Sequence, residues 1–176
     1  HDALPIYYMC DVETRGYCPG GARPGAAATT NATPLPRAVD ADGMNVAGLA
    51  RDLRAAAERT DHRRLVVLAG SRDAGIDAAF DVVAGAEVSD DDVAIVTTRE
   101  GFRFERVAPE RADRLLGTTR QVVICDAHEG FSPNVLGRLV GVVDGGGLFV
   151  LLTPPLDAWP DRTGSFADYI IDRKSG

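Results

Sequence analysis

Lysine is all but missing from this chain. Among nineteen basic residues only Lys174 is a lysine, and they stand against twenty-six acidic residues for a net charge of -7. A domain that tracked a nucleic-acid backbone unaided would show the opposite sign. Cysteine is also scarce: Cys10 and Cys18 are separated by seven residues and Cys125 stands far away. That spacing makes no metal-binding set, and Cys125 reads as a small core residue. No apolar run approaches a membrane span and no secretory signal opens the chain, so it reads as soluble and cytoplasmic. The signatures of nucleotide and acyl chemistry are missing too. Gly70-Ser71-Arg72-Asp73-Ala74-Gly75 is followed by Ile76 and Asp77 where a Walker A loop needs Lys and Ser/Thr. There is no three-glycine dinucleotide fingerprint, no serine in a nucleophile elbow and no triad, and His62 reads as an exposed loop residue. With 176 residues the chain has room for one domain of ordinary size and not for a second catalytic one.

What is present is a regular alternation. Residues 1–43 carry Gly, Ala, Pro and Thr without periodicity and read as a disordered leader. Residues 1–6 and 172–175 resemble translated adapter sequence, which makes Met44 a natural start and 169–176 a truncated or artefactual tail; a genuine flexible N-terminal tail is the other reading. From Met44 the pattern predicts a helix capped by Asn45 and running to Arg59, with Val46, Leu49, Ala50, Leu53 and Ala57 on one face. Strands follow at residues 65–69, 93–97, 121–125 and 148–152, with helices at 73–84 and 109–116 and a capped helix opening at Ser132-Pro133. Val135, Leu136, Leu139, Val140 and Val143 share a face of that last helix, and Gly145-Gly146-Gly147 are expected to end it. Leu148 to Leu152 is apolar without alternation, as a strand covered on both faces should be. Strands and helices alternating in this way predict an α/β domain: a three-layer, Rossmann-like or flavodoxin-like open parallel sheet with helices on both faces.

Two places could carry chemistry. Gly70, Ser71 and Gly75 follow the first strand and open a helix, where free N–H groups bind phosphate in many α/β folds; a plain strand-to-helix turn is the simpler reading. Asp126, His128 and Glu129 stand just past a strand, at the carboxyl edge where ligands of such folds gather. They act in chemistry only if they converge, and otherwise serve as loop, cap and surface residues. The acidic triplet Asp90 to Asp92 precedes a strand and reads as a solvated turn. Thr153-Pro154-Pro155 leaves the last strand extended, and Trp159 packs on the domain's own rim or anchors a neighbour.

Three pieces in order carry a family resemblance: Arg114-Leu115-Leu116-Gly117; Gln121 to Asp126 leading into Gly130-Phe131-Ser132-Pro133-Asn134; and Gly145-Gly146-Gly147 leading into Thr153-Pro154-Pro155 with Trp159. Residues 44–168 resemble the N-terminal module of the tRNA(Met) cytidine acetyltransferase family, which makes N4-acetylcytidine in RNA. The resemblance implies a parent enzyme that uses acetyl-CoA, ATP and magnesium and acts on tRNA. Its helicase-like ATPase and acetyltransferase domains would be this module's partners. This module would be a non-catalytic scaffold, with no catalytic, cofactor or metal residue of its own. The alternative is a free-standing Rossmann-like nucleotide-binding or regulatory module with its site at Gly70 to Gly75 and Asp126 to Glu129. The Asp-rich, Lys-poor composition resembles proteins of salt-loving archaea. Carboxylates that repel one another in dilute buffer are screened at high ionic strength. The melting temperature should therefore rise from dilute buffer to molar KCl, and a temperature that is flat or falls with salt would count against the halophilic reading.

Overall fold

A computed structural model describes residues 45–129, 132–156 and 158, together with the backbone of two short strands nearer the amino terminus. Those strands are β1 (Pro5–Met9) and β2 (Val39–Asp40). Then follow α1 (Val46–Thr60), β3 (Arg64–Ala69), α2 (Arg72–Ala86), β4 (Val93–Val96), β5 (Glu105–Val107), β6 (Arg120–Asp126), α3 (Pro133–Val140) and β7 (Val143–Thr153). The strands form one sheet in the order β2-β1-β3-β7-β6-β4-β5, parallel from β3 to β5, with β1 antiparallel to β3 and β2 antiparallel to β1. The leader expected to lack structure thus contributes seven residues of strand, and the rest of it lies outside the described residues.

The expected α/β architecture is present, and strand pleating sorts the apolar side chains into two layers. Val66, Leu68, Ile95, Ile124, Val150 and Leu152 face α1 and α2, while Val67, Val96, Val123, Phe149 and Leu151 face α3 and a 3-10 segment at Pro109–Leu115. Asn45 caps α1 by accepting the N–H of Gly48 at 2.9 Å. Helix α1 buries Ala50, Leu53 and Ala57, as its spacing predicts. Helix α2 is buried more widely than an outer helix would be, at Ile76, Ala78, Ala79, Val82, Val83 and Ala86, because α1 lies over it.

Four sequence expectations need correction. Pro109–Leu115 is 3-10 and not α, with a non-helical kink at Arg111. The stretch around Phe104 holds an unforeseen edge strand, β5, three residues long, while Phe80, Phe102 and Phe104 cluster with ring centroids 5.3–5.9 Å apart. Ser132 stands at the N-cap of α3 without a side-chain bond to the helix. Most consequentially, α3 stops at Val140, and Gly145 to Gly147 belong to β7. These glycines are there for clearance. A Cβ on Gly147 would lie 2.7 Å from the Gln121 carbonyl oxygen, and Gly146, at φ +77°, sits against the backbone of Glu58 at the end of α1. Leu139 alone of the α3 row is fully buried, whereas Val140 is half-buried.

The contrast between two glycines tests this assignment. Gly147→Ala should lower stability by about 1–3 kcal/mol, the usual cost of forced repacking. Gly137→Ala, in α3 with open space around it, should raise stability by roughly 0.5–1 kcal/mol. Urea unfolding of both variants at high salt measures the difference.

Candidate functional site

The chain passes from β4 to β5 in one direction across the sheet and from β6 to β7 in the other. The carboxyl ends of β4 and β6 are therefore the topological switch point, where open α/β sheets place their ligands. The two candidate regions of the sequence meet at this point.

Asp126, the last residue of β6, has a side chain only 1% exposed. Its Oδ1 receives the backbone N–H of His128 at 3.1 Å and faces ring Nδ1 at 2.8 Å. Its Oδ2 receives Nε of Arg72 at 2.8 Å and the Thr97 hydroxyl at 2.8 Å. His128, held in this way, turns Nε2 to the carbonyl oxygen of Gly70 at 3.0 Å, and its ring edge lies beside Gly75 in the first turn of α2. Arg72 reaches on from Asp126 to the Thr98 hydroxyl at 2.7 Å and to the carboxylate of Glu129, which also accepts from Thr98. Arg99 pairs with Asp73 at the outer rim. Ser71 takes no part in the cluster. It caps α2, accepting from the N–H of Ala74 at 3.4 Å.

The electrostatics follow from these contacts. Burial pushes the Asp126 carboxyl upward, but the bonds from His128, Thr97 and Arg72 outweigh it and hold the group well below the ordinary carboxylate range. Glu129 is lowered by its bonds from Thr98 and Arg72. Burial also acts against the charge of Arg72, and its pairing with Asp126 and Glu129 outweighs that and raises it. Burial, with the Asp126 charge beside it, pushes the Cys125 thiol up to about 12, so it is no thiolate nucleophile.

The polar atoms of the cluster are largely engaged with one another. A general base needs a free lone pair in reach of a proton, yet both oxygens of Asp126 are taken and both nitrogens of His128 face acceptors. A phosphate at the start of α2 would have to displace two carboxylates already seated on Arg72. Thr153, buried at the end of β7, has a hydroxyl without a partner, and its burial denies a substrate access to it. Among the described residues no group of three or more His, Cys, Asp or Glu could hold a metal ion, and no helix is long and apolar enough to cross a membrane. Asp90–Asp92 is a 3-10 turn with Asp91 and Asp92 exposed and Asp90 half-buried, whereas His62, read as exposed, is half-buried. Trp159 lies outside the described residues.

Sequence reasoning found Gly70, Gly75, Asp126, His128 and Glu129 but missed Arg72, Thr97 and Thr98. Arg72 did leave a signal. The helix dipole disfavours a cation in the first turn, so an arginine there implies a carboxylate holding it.

A family model described as tRNA(Met) cytidine acetyltransferase TmcA, N-terminal, matches residues 42–174. Three proteins named tRNA(Met) cytidine acetyltransferase TmcA are similar to the chain. That of Haloferax volcanii is 64% identical over 125 residues, covering 71% of this chain and 17% of that protein. That of Haloarcula marismortui is 44% identical over 124 residues, covering 70% and 16%. That of Nitrosococcus halophilus is 36% identical over 116 residues, covering 66% and 15%. The chain thus spans about a sixth of the length of these curated relatives.

The lowered Asp126 carboxyl makes an acid-stability prediction. Because the unfolded group, near pH 3.9, binds its proton more readily than the folded one, the contribution of Asp126 is complete above about pH 4 and drains away as pH falls toward the folded value. Asp126→Asn should cost about 3–5 kcal/mol at neutral pH, the usual result of breaking a buried charge pair. It should also flatten the acid limb of stability against pH. Parallel acid limbs for the two proteins, in denaturant midpoints from pH 7 to 2, would contradict the assignment.

Proposed function

Since the chain belongs to the tRNA(Met) cytidine acetyltransferase family and matches its N-terminal region, we propose that it is the first domain of an RNA cytidine N4-acetyltransferase and serves there as a non-catalytic scaffold. Acetyl-CoA, ATP, magnesium and the tRNA would be handled by domains further along the parent chain. Those helicase-like ATPase and acetyltransferase domains are its partners in this reading.

One observation carries it: the switch point, where this kind of sheet keeps a ligand, is filled by the domain's own side chains in mutually satisfied contacts. A free-standing nucleotide-binding module would need open N–H groups at α2 and an unspoken-for cation. Here Ser71 and Arg72 are both engaged. The net charge of -7 is a further argument against unaided docking on RNA.

Two assays test the reading. The purified chain, incubated with acetyl-CoA, ATP, magnesium and tRNA, should release no phosphate and form no acetylcytidine. Turnover of either kind, abolished by Asp126→Ala or His128→Ala, would overturn it. Exchanging the matching 125 residues of the Haloferax volcanii protein for those of this chain should leave whatever acetylation that protein performs within about threefold, a change of under 1 kcal/mol in barrier.

A further inference from the structure

Near its start, β7 leaves both of its ladders. Val143 pairs with Arg120 and Leu148 with Val122 of β6, and the ladder to β3 begins only at Leu148. Asp144 to Gly147 therefore bulge opposite the single residue Gln121, with Gly146 at φ +77°. Residues paired on both sides have their peptide planes fixed, and these are paired on neither.

In this bulge the half-buried Asp144 carboxylate lies against the peptide bond that follows it. Oδ1 accepts the N–H of Gly145 at 2.9 Å, and Oδ2 accepts Nε2 of Gln121 at 3.0 Å. Gln121 is itself polarised by Arg54, whose Nη2 donates to its Oε1 at 2.8 Å. We propose that Asp144-Gly145 is a modification site, where the Gly145 nitrogen closes on Cγ of Asp144 to a succinimide that water reopens to isoaspartate.

Water is the only other reactant. From the protonated carboxyl, the N–Cγ bond forms, the amide proton passes to solvent, and Oδ1 takes up a proton and leaves as water. A water molecule then adds to the main-chain carbonyl carbon of Asp144 and breaks its bond to the Gly145 nitrogen. The chain now runs through Cγ and is longer by one methylene. Glycine puts no side chain beside the attacking nitrogen, and the hydrogen bond keeps nitrogen and carboxyl within reach of each other. As Cγ becomes tetrahedral, charge developing on Oδ2 meets the Gln121 donor already in place. The product displaces the carboxylate that Gln121 holds, and so loosens the attachment of α1 to β7.

The full chain, kept at high salt and mildly acid pH either folded or in urea, provides the test. Mass spectrometry and enzymatic methylation of isoaspartate are read on the peptide that contains Asp144, which separates it from the other Asp-Gly pair, Asp42-Gly43. The folded chain should form succinimide, lighter by one water, and then isoaspartate, at a rate within about tenfold of that in urea. Asp144→Asn should pass through the same imide faster, with loss of ammonia, and Asp144→Glu should stay unmodified. Gln121→Leu should slow the folded chain by about threefold or more and leave the rate in urea unchanged. The proposal fails if folded Asp144 stays intact over the time in which Asp144→Asn deamidates in urea. Equal rates in the folded wild type and a folded Gln121→Leu variant would also overturn it, and should that variant not fold, the wild-type comparison decides.

Discussion

The carboxylate of Asp126 is the contact on which the carboxyl end of this sheet depends. A parallel sheet is assembled from strands far apart in sequence, and beyond the last ladder bond nothing in the backbone obliges neighbouring ends to stay together. Here one buried group collects donors from Thr97 just past β4, from Arg72 at the first position of α2 and from its own loop. An unpaired charge so deeply buried would be costly, and what makes it tolerable is that every lone-pair direction has a partner. Removing a donor therefore costs more than the bond it made, because the group left behind stays buried. The same contacts occupy both oxygens of the carboxylate. A carboxylate that orders three segments cannot also be free to take a proton from a substrate.

The amino end of the sheet is organised differently, by clearance and a shorter polar chain. Arg54 of α1 donates to Gln121 at 2.8 Å, and Gln121 donates to Asp144 at 3.0 Å, so α1 is fastened to both β6 and β7. Gly145 and Gly146 let the end of α1 come close to the sheet, and Gly147 lets β7 pass the Gln121 carbonyl. The run of three glycines, a helix terminator by composition, is here an approach surface within a strand.

That reversal shows what could be read from residues alone. Periodicity located α1, α2, β3, β4, β6 and β7, because each buries one face or both against a layer that its own pattern records. It could not give the strand order, which depends on how crossovers nest. It also could not give β5, whose three residues are too few to show a period. Glycine is ambiguous between a cap and a close approach until the neighbour is known, hence the misplaced end of α3. The site was legible as two fragments. Asp126 and Gly70 each stood at a strand end and meet through His128, but Asp126 is also held by Arg72 and Thr97, and the threonine carries no local mark of its role.

The outermost parallel strand has one more consequence. β5 is three residues long, too short a template for another chain to extend. Many proteins guard such an edge with like charge, which keeps approaching strands apart. In molar salt the screening length shrinks to about 3 Å and that protection all but vanishes, while apolar attraction persists. Brevity does not depend on ionic strength. An edge protected by its shortness resists aggregation in brine as well as in dilute solution.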